Sequence, residues 1–400
     1  MLYGRKRNGN GLLNDYLRAD IPVVTDLRLF AMKALLICLT ILLLLRLLVA
    51  LYNFFLRPVF PQAGRIKDDP LVSILIRADN SSTRLGHILE LLHKLSYPRF
   101  EVIVGIYRPT QPTLDIIQSL KASDARFSVL NIRSLHKDWL STPDINYQLG
   151  HSAKGNYLVF MDADVELRPG VLQSLICYMR NHKLGMISIL PHFRLHNFAE
   201  RVSWPWVNLL FLTLAPIWKS RRVIFAQTGL AGRNFMIFDG DVYRQFQPFD
   251  EVKKRIDWGR GIAQYFFQEG ISFMPLVGDK RIILQGCLNW KRCIIRLSYY
   301  IMIFFKRSFT FAFFYTLIYC FWYIPFLIAG KYYWMIGCIL INILMRTIVA
   351  SLTKTSIKEN IIYGAIQNFS LPVILWVSMM HHVHKCRWKH CKQEKCKLLD

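Results

Sequence analysis

Acidic residues are scarce in this chain. Its 400 residues hold 26 Asp and Glu against 51 Lys and Arg, a formal net charge of +25. That balance calls for an anionic partner, which leaves nucleic acid, an anionic membrane surface or a charged small substrate. Nucleic acid is set aside because the bases are dispersed among long apolar runs and no recognition module accompanies them. A disulfide framework is also missing. The nine cysteines are scattered, and Cys38, Cys320 and Cys338 fall in apolar stretches instead of at paired spacings, so the active part is expected to face a reducing compartment. The first apolar run is too long for a cleavable leader and has no small-residue cleavage site. No internal repeat is present. Cys386, Cys391 and Cys396 stand at a spacing that is not a zinc signature, whereas the Lys and Arg around them suit anionic lipid headgroups.

Apolar residues, by contrast, are abundant: 53% of the chain is hydrophobic and 14% aromatic, more than a soluble domain usually carries. A basic arm occupies 1–27. A continuous apolar run over 28–56 is long enough to span a bilayer, which takes roughly 20 residues. Arg46 interrupts it. A charge at bilayer centre costs about 2.5–3.5 kcal/mol, so Arg46 is expected to snorkel or to face another helix. Three further apolar windows lie within 308–383, after an interfacial helix at 293–307, and a basic tail fills 384–400. The expected location is a cell membrane, crossed several times, with the domain at 70–292 facing the cytoplasm. The positive-inside tendency is not met by a simple count of crossings, so one segment is expected to be re-entrant or interfacial.

Within 70–292 the pattern changes. LVSILI (71–76), FEVIVGI (100–106), FSVLNI (127–132) and NYLVFM (156–161) read as short buried strands. Helical stretches at Leu85–Leu95, Leu114–Leu120 and 145–153 separate them. Alternation at this spacing predicts βαβ units and a mostly parallel α/β sheet, which binds ligands beyond the carboxyl ends of its strands. SWPWVNLLFLTLAPIW (203–218) is aromatic and broken by Pro205 and Pro216. It is read as an amphipathic segment at the membrane surface, with a buried domain helix as the alternative.

The sharpest chemical feature is FMDADVELRPG (160–170). Asp162 and Asp164 directly follow an apolar strand and precede a Pro-Gly helix start. Alternating carboxylates at a strand end can share a divalent cation with a diphosphate. A solvated surface turn is the competing reading.

With these residues in view, the chain resembles the membrane-bound family 2 glycosyltransferases. GNYLVFMDADVELRPGVLQSLICYM is similar to that family's strand-and-metal motif, and VSILIRADN (72–80) followed by YPRFEVIVGI (97–106) is similar to its opening. The similarity covers about 220 residues from Leu71 to Trp290 and is strongest over 154–175. Among members it looks most like lipid-directed enzymes of the carotenoid and hopanoid type. The resemblance implies a GT-A nucleotide-sugar-binding sandwich with one N-terminal and two to three C-terminal transmembrane helices. It implies Mg²⁺ or Mn²⁺ at Asp162 and Asp164, a nucleotide-sugar donor, a lipid or lipid-linked acceptor, and contact with membrane lipids. GLAGRNFMIFDGDVYRQF (229–246) is similar to the acceptor-side glycine turn, where Gly232 admits backbone to the donor sugar. Asp257 stands at the catalytic base; an acid at a helix N-terminus is the plainer alternative, and Asp250 and Glu251 are second choices. Asp239 and Asp241 look like turn residues.

The sequence departs from the family at the nucleotide end. Arg77-Ala78-Asp79-Asn80-Ser81 replaces the usual motif after the first strand, and Ile106-Tyr107-Arg108 stands where an aspartate usually meets the base. Asp79, Asn80 and Tyr107 are therefore the candidates for holding the nucleotide. Near the later helices, QGCLNWKRCIIR (285–296) offers Gln285, Trp290 and Arg292, at a spacing that is not the family's; interfacial anchoring competes for Trp290 and Arg292. Two functions follow: an inverting, metal-dependent glycosyltransferase, or a degenerate relative serving as a membrane scaffold in envelope lipid or polysaccharide synthesis.

Overall fold

The computed structural model describes the backbone of residues 9–389 apart from 57–59, 62–63, 65–67, 79–81, 215–233, 287–289 and 306–307. Side chains are described over 28–380, with further omissions at 82–83, 120–123, 290–292, 299 and 302–303. A long helix, α1 (Gly9–Leu56), begins within the basic arm. The α/β domain then runs β1 (Val72–Ala78), α2 (Ser82–His93), β2 (Phe100–Tyr107), α3 (Gln111–Ser123), β3 (Phe127–Ile132), α4 (Ser141–Ser152), β4 (Tyr157–Asp162), β5 (Val165–Leu167) and α5 (Val171–His182). It continues with β6 (Met186–Leu190), β7 (His192–Arg194), α6 (Phe198–Ser203), α7 (Pro205–Leu214), β8 (Phe235–Asp239), β9 (Phe273–Val277) and β10 (Ile282–Gln285). All four strands read from the first half of the domain are present.

Seven strands form one sheet in the order β3-β2-β1-β4-β8-β6-β9. The β3-β2-β1-β4 half is parallel, and β8 runs antiparallel to both β4 and β6. A side sheet orders β5-β10-β7. Side chains alternate across a strand, so β1 supplies two cores: Val72, Ile74 and Ile76 join the cluster under α2 and α5, and Leu75 joins Leu149 of α4 in the other. Gly155 sets the entry to β4. Its amide donates to Ser73 Oγ at 2.8 Å, and a Cβ there would lie 2.6 Å from the Ser73 backbone nitrogen.

Helix α7 corrects the expectation of a surface segment. Residues 205–213 are all buried, Asn208 and Thr213 included. The helix packs against α1 and against the Tyr332–Thr353 helix, and Asn53 of α1 donates to Leu212 O at 2.8 Å. Its apolar residues face protein on every side, which suits a helix hydrophobic all round. The stretch 215–233 lies outside the described residues.

The Trp290–Phe304 helix stands where an interfacial helix was expected. Cys293, Leu297 and Ile301 make a buried stripe, and the helix packs on α6, α7 and the Gly364–Lys389 helix. Among the described residues two helical stretches, Arg28–Leu56 and Tyr332–Thr353, are long and apolar enough to cross a membrane. Phe309–Phe321 and Gly364–Met380 are shorter and apolar.

Candidate active site

The carboxyl end of the sheet gathers charge. Parallel pairing of β1 with β4 sets Arg77 opposite Asp162, so the two side chains leave the sheet on the same face. Arg77 Nη2 lies 3.1 Å from Asp162 Oδ1, and its Nη1 donates to Thr142 Oγ1 at the start of α4. The other Asp162 oxygen accepts from Asn234 Nδ2 at 2.7 Å. Tyr300 Oη in turn donates to Asn234 Oδ1 at 2.5 Å, which fixes the amide's orientation.

Asp164, two residues on, lies between two guanidiniums. Arg84 of α2 reaches Oδ1 at 2.8 Å and Arg296 of the Trp290–Phe304 helix reaches Oδ2 at 2.7 Å. Arg84 also donates to Gly286 O at 2.7 Å. Burial pushes the Asp164 carboxyl up, but the charge and hydrogen bond of Arg296, followed by those of Arg84, outweigh it and hold the group below the usual carboxylate range. Glu166 extends the row inward. It is buried, faces His87 Nε2 at 3.3 Å and Arg194 Nη1 at 3.5 Å, and accepts from Gln285 Nε2. Asp162, Asp164 and Glu166 thus form an acidic row inside a shell of arginines.

Gln285, a ligand-binding candidate from the sequence, lies beside this row with its side chain bonded to Glu166 and His196. Its backbone N–H donates to Asp164 O at 2.9 Å, and its Oε1 meets His196 Nε2 at 2.8 Å. Tyr107 ends β2 at the same edge of the sheet, and the Arg108 guanidinium covers its ring at 5.2 Å from the centroid. Arg108 takes a left-handed φ of 52°, turning the chain sharply after the strand. Asp79, Asn80 and Gly232 lie outside the described residues; Trp290 opens its helix, but its side chain and that of Arg292 lie outside them too.

Asp257 precedes the Trp258–Gln268 helix without capping it through its side chain. Its carboxylate pairs with Arg255 at 3.0 Å, and Arg255 also donates to Gln264 Oε1 at 2.8 Å. Burial pushes the Asp257 carboxyl up, yet the hydrogen bond and charge of Arg255, with Arg260 adding to them, hold it below the ordinary range. Among the described residues no hydrogen bond or ion pair joins Asp257 to Asp162 or Asp164. Asp250 pairs with Lys253 at 3.0 Å. Asp239 and Asp241, read as turn residues, instead start a helix: Asp239 ends β8 and caps the Gly240–Phe246 helix, accepting from the amides of Asp241 and Val242.

Sequence reasoning missed Arg84, Arg296, Glu166, Asn234 and Tyr300, and treated Arg77 only as a departure from a motif. Arg296 did leave a signal. It interrupts an apolar helix, and a base on such a face needs a buried partner or an exit to water.

Residues 73–240 match the family model described as Glycosyl transferase family 2. No curated protein sequence matches the chain. Among solved structures, the mannosyltransferase PcManGT from Pyrobaculum calidifontis, in complex with GDP-Man and Mn²⁺, is similar over 69% of this chain and 76% of that one, with 15% identity and a TM-score of 0.47. S. aureus TarS 1–349 in complex with UDP-GlcNAc is similar over 58% of this chain and 66% of that one, with 13% identity and a TM-score of 0.40.

Proposed function

We propose that this chain, a glycosyltransferase by its family 2 domain and GT-A-like, mostly parallel sheet, moves a sugar with inversion from a nucleotide-diphosphate donor to a lipid or lipid-linked acceptor at a membrane surface. The observation that carries the donor side is the convergence of Arg77, Arg84 and Arg296 on Asp162 and Asp164 at the carboxyl end of the sheet. Guanidiniums suit diphosphate oxygens, which they hold by paired N–H donors.

A divalent cation fits the donor set. Mg²⁺ and Mn²⁺ favour hard oxygens and are commonly held by one or two carboxylates together with substrate phosphates, without a closed protein cage. Asp162 and Asp164 would supply those two carboxylates once a bound diphosphate draws the arginines off them, since all four oxygens here accept from Arg77, Arg84, Arg296 or Asn234. Among the described residues no cluster of three or more His, Cys, Asp or Glu offers a cage. When bound, the ion neutralises charge that develops on the leaving diphosphate. Asp257, ionised at neutral pH, takes the proton of the acceptor hydroxyl. The hydroxyl oxygen then bonds to the anomeric carbon as the bond from that carbon to the diphosphate breaks, and the nucleoside diphosphate leaves. Asn234, held by Tyr300, keeps the Asp162 carboxylate oriented.

The arginine pairs also support a second reading, in which the guanidiniums alone neutralise the diphosphate. Chelation separates the two.

The membrane part rests on the Arg28–Leu56 and Tyr332–Thr353 helices and on the apolar exterior of the bundle. Phe55, Phe311, Ile328 and Trp376 are all exposed there, an apolar surface that water does not favour. The reading places the chain in a cell membrane, crossing it several times, with the α/β domain on the cytoplasmic side.

Purified protein incubated with UDP-, GDP- and dTDP-sugars and Mg²⁺ or Mn²⁺ is expected to release nucleoside diphosphate with at least one donor. No release from any of them overturns the donor class.

A further inference from the structure

We infer that the groove between α1, the Phe309–Phe321 helix and the Tyr332–Thr353 helix binds an anionic lipid, with Arg46 holding its phosphate. The inference rests on the membrane part of the proposed function.

Among the described residues, the helical bundle holds two buried cations, Arg46 and Arg346, with no carboxylate paired to either. Arg46 of α1 and Arg346 of the Tyr332–Thr353 helix are each about nine-tenths or more buried, at 5% and 4% exposure. Past Gly286 the sequence has only Glu359, Glu394 and Asp400 as acids, and Glu359 pairs with Arg201 at 3.2 Å. Arginine keeps its charge in proteins, and an unpaired buried charge is costly.

The two cations are satisfied differently. Arg346 is surrounded by neutral oxygens: Asn342 Oδ1 at 3.0 Å, Asn368 Oδ1 at 2.7 Å, Gly364 O at 3.2 Å and Gln367 Oε1. This is the pattern of a structural arginine. Arg46 has one hydrogen-bond acceptor among the described residues, Thr213 Oγ1, which receives both Nε at 3.2 Å and Nη2 at 3.0 Å. A guanidinium carries five N–H donors, so one hydroxyl leaves most of the fork unused. The Tyr319 ring lies 4.7 Å beneath it and positions it without accepting from the fork. Arg346 in turn donates weakly to Tyr319 Oη at 3.5 Å, anchoring that ring.

Arg46 lines a groove. Arg46 and Asn342 are polar members of its lining, and Leu42, Ile318, Trp322 and Cys338 contribute to its apolar wall. Leu42 and Ile318 are exposed on the outer face of the bundle, so the groove opens laterally. A phosphate at one end of an apolar trough matches a lipid whose chain fills the trough. Free phosphate would have to leave water for an apolar wall and gain nothing from it.

The full-length protein tests this in nanodiscs of phosphatidylcholine, alone or with phosphatidylglycerol. Phosphatidylglycerol is expected to raise the thermal midpoint by on the order of 3 °C and to leave one retained lipid in native mass spectra. Arg46→Gln should lose both while keeping nucleotide-diphosphate binding. Leu42→Trp, which fills the groove and leaves Arg46 in place, should lose them too, and covers the case in which Arg46→Gln does not fold. An equal phosphatidylglycerol shift in Leu42→Trp or Arg46→Gln, an absent shift in the unaltered protein, or an equal shift from inorganic phosphate overturns the inference. Alkaline carbonate extraction of cell membranes checks the membrane reading separately: release into the supernatant sinks both, whereas retention without a phosphatidylglycerol effect sinks the lipid site alone.

Discussion

Arg77 and Asp162 occupy paired positions on adjacent parallel strands, and their side chains meet at 3.1 Å. Strand register therefore delivers a base to the first carboxylate of the acidic row without help from any loop. A base at this point opposes binding of a bare cation, yet it suits a diphosphate that shares the cation. Replacing Arg77 with Ala should weaken nucleoside-diphosphate binding about tenfold or more, as expected for a lost charge-assisted hydrogen bond, and should leave nucleoside binding unchanged. Calorimetry with UDP or GDP against the bare nucleoside reads the difference. An equal loss for both ligands would show that Arg77 only supports the fold.

Arg84 and Arg296 approach Asp164 from two different helices, one from α2 and the other from the Trp290–Phe304 helix. They tie the Trp290–Phe304 helix to the carboxyl end of the sheet. Each single change, Arg84→Ala or Arg296→Ala, leaves the other guanidinium in place and should cost about 1.5–3 kcal/mol. Asp164→Ala leaves two guanidiniums facing each other and should cost more. A double-mutant cycle on denaturant midpoints measures the coupling, which should reach at least about 0.5 kcal/mol for residues in contact. Additive losses would mean that the pairs contribute no coupling.

The parallel half of the sheet was legible in the sequence because its strands are short branched runs flanked by turn residues, and β1 to β4 fall close to the positions read for them, whereas β6, β8 and β9 were not read. The position of Asp162 and Asp164 at the carboxyl end of β4 was legible because a carboxylate pair after a buried strand stands out. The arginines were not, since each comes from a different element and only the register and helix packing bring them together. Helix α7 was misread because two prolines in an aromatic run look like a surface segment, and nothing local reveals that α1 and the Tyr332–Thr353 helix enclose it. Arg46 was read more closely: it faces another helix, as one of the two expectations held.

Chelation is the direct check on the cation. With Asp162 and Asp164 as shared ligands, EDTA should abolish nucleoside-diphosphate release, and Mn²⁺ or Mg²⁺ should restore it. Asp162→Asn should mimic the chelated state at any metal concentration. Full activity in EDTA would instead assign charge neutralisation to Arg77, Arg84 and Arg296.

Asp257 makes a kinetic prediction with a defined sign. If its carboxylate removes the acceptor proton, Asp257→Asn should lower kcat by about 10²–10⁴-fold with donor KM little changed. Because Arg255 and Arg260 hold its pKa down, the ionised form persists below the usual carboxylate value of about 3.9. The acidic limb of the rate profile should therefore lie under that value, and Arg255→Gln should move it upward. A limb near neutrality that ignores Arg255 would assign the base to another group.

Asp164 makes the matching prediction for stability. Its pKa is depressed in the folded chain, so the folded state favours the ionised form. The resulting stabilisation is complete above the unfolded carboxylate value of about 3.9 and disappears as pH falls through the depressed folded value. Denaturant midpoints measured from neutral pH downward should therefore stay level, then drop on the acid side. Asp164→Asn should begin lower and show a shallower drop, because the amide has no proton to gain. If both proteins lose stability in parallel, the acid sensitivity belongs to other carboxylates, with Asp279 beside Arg281 the next to examine.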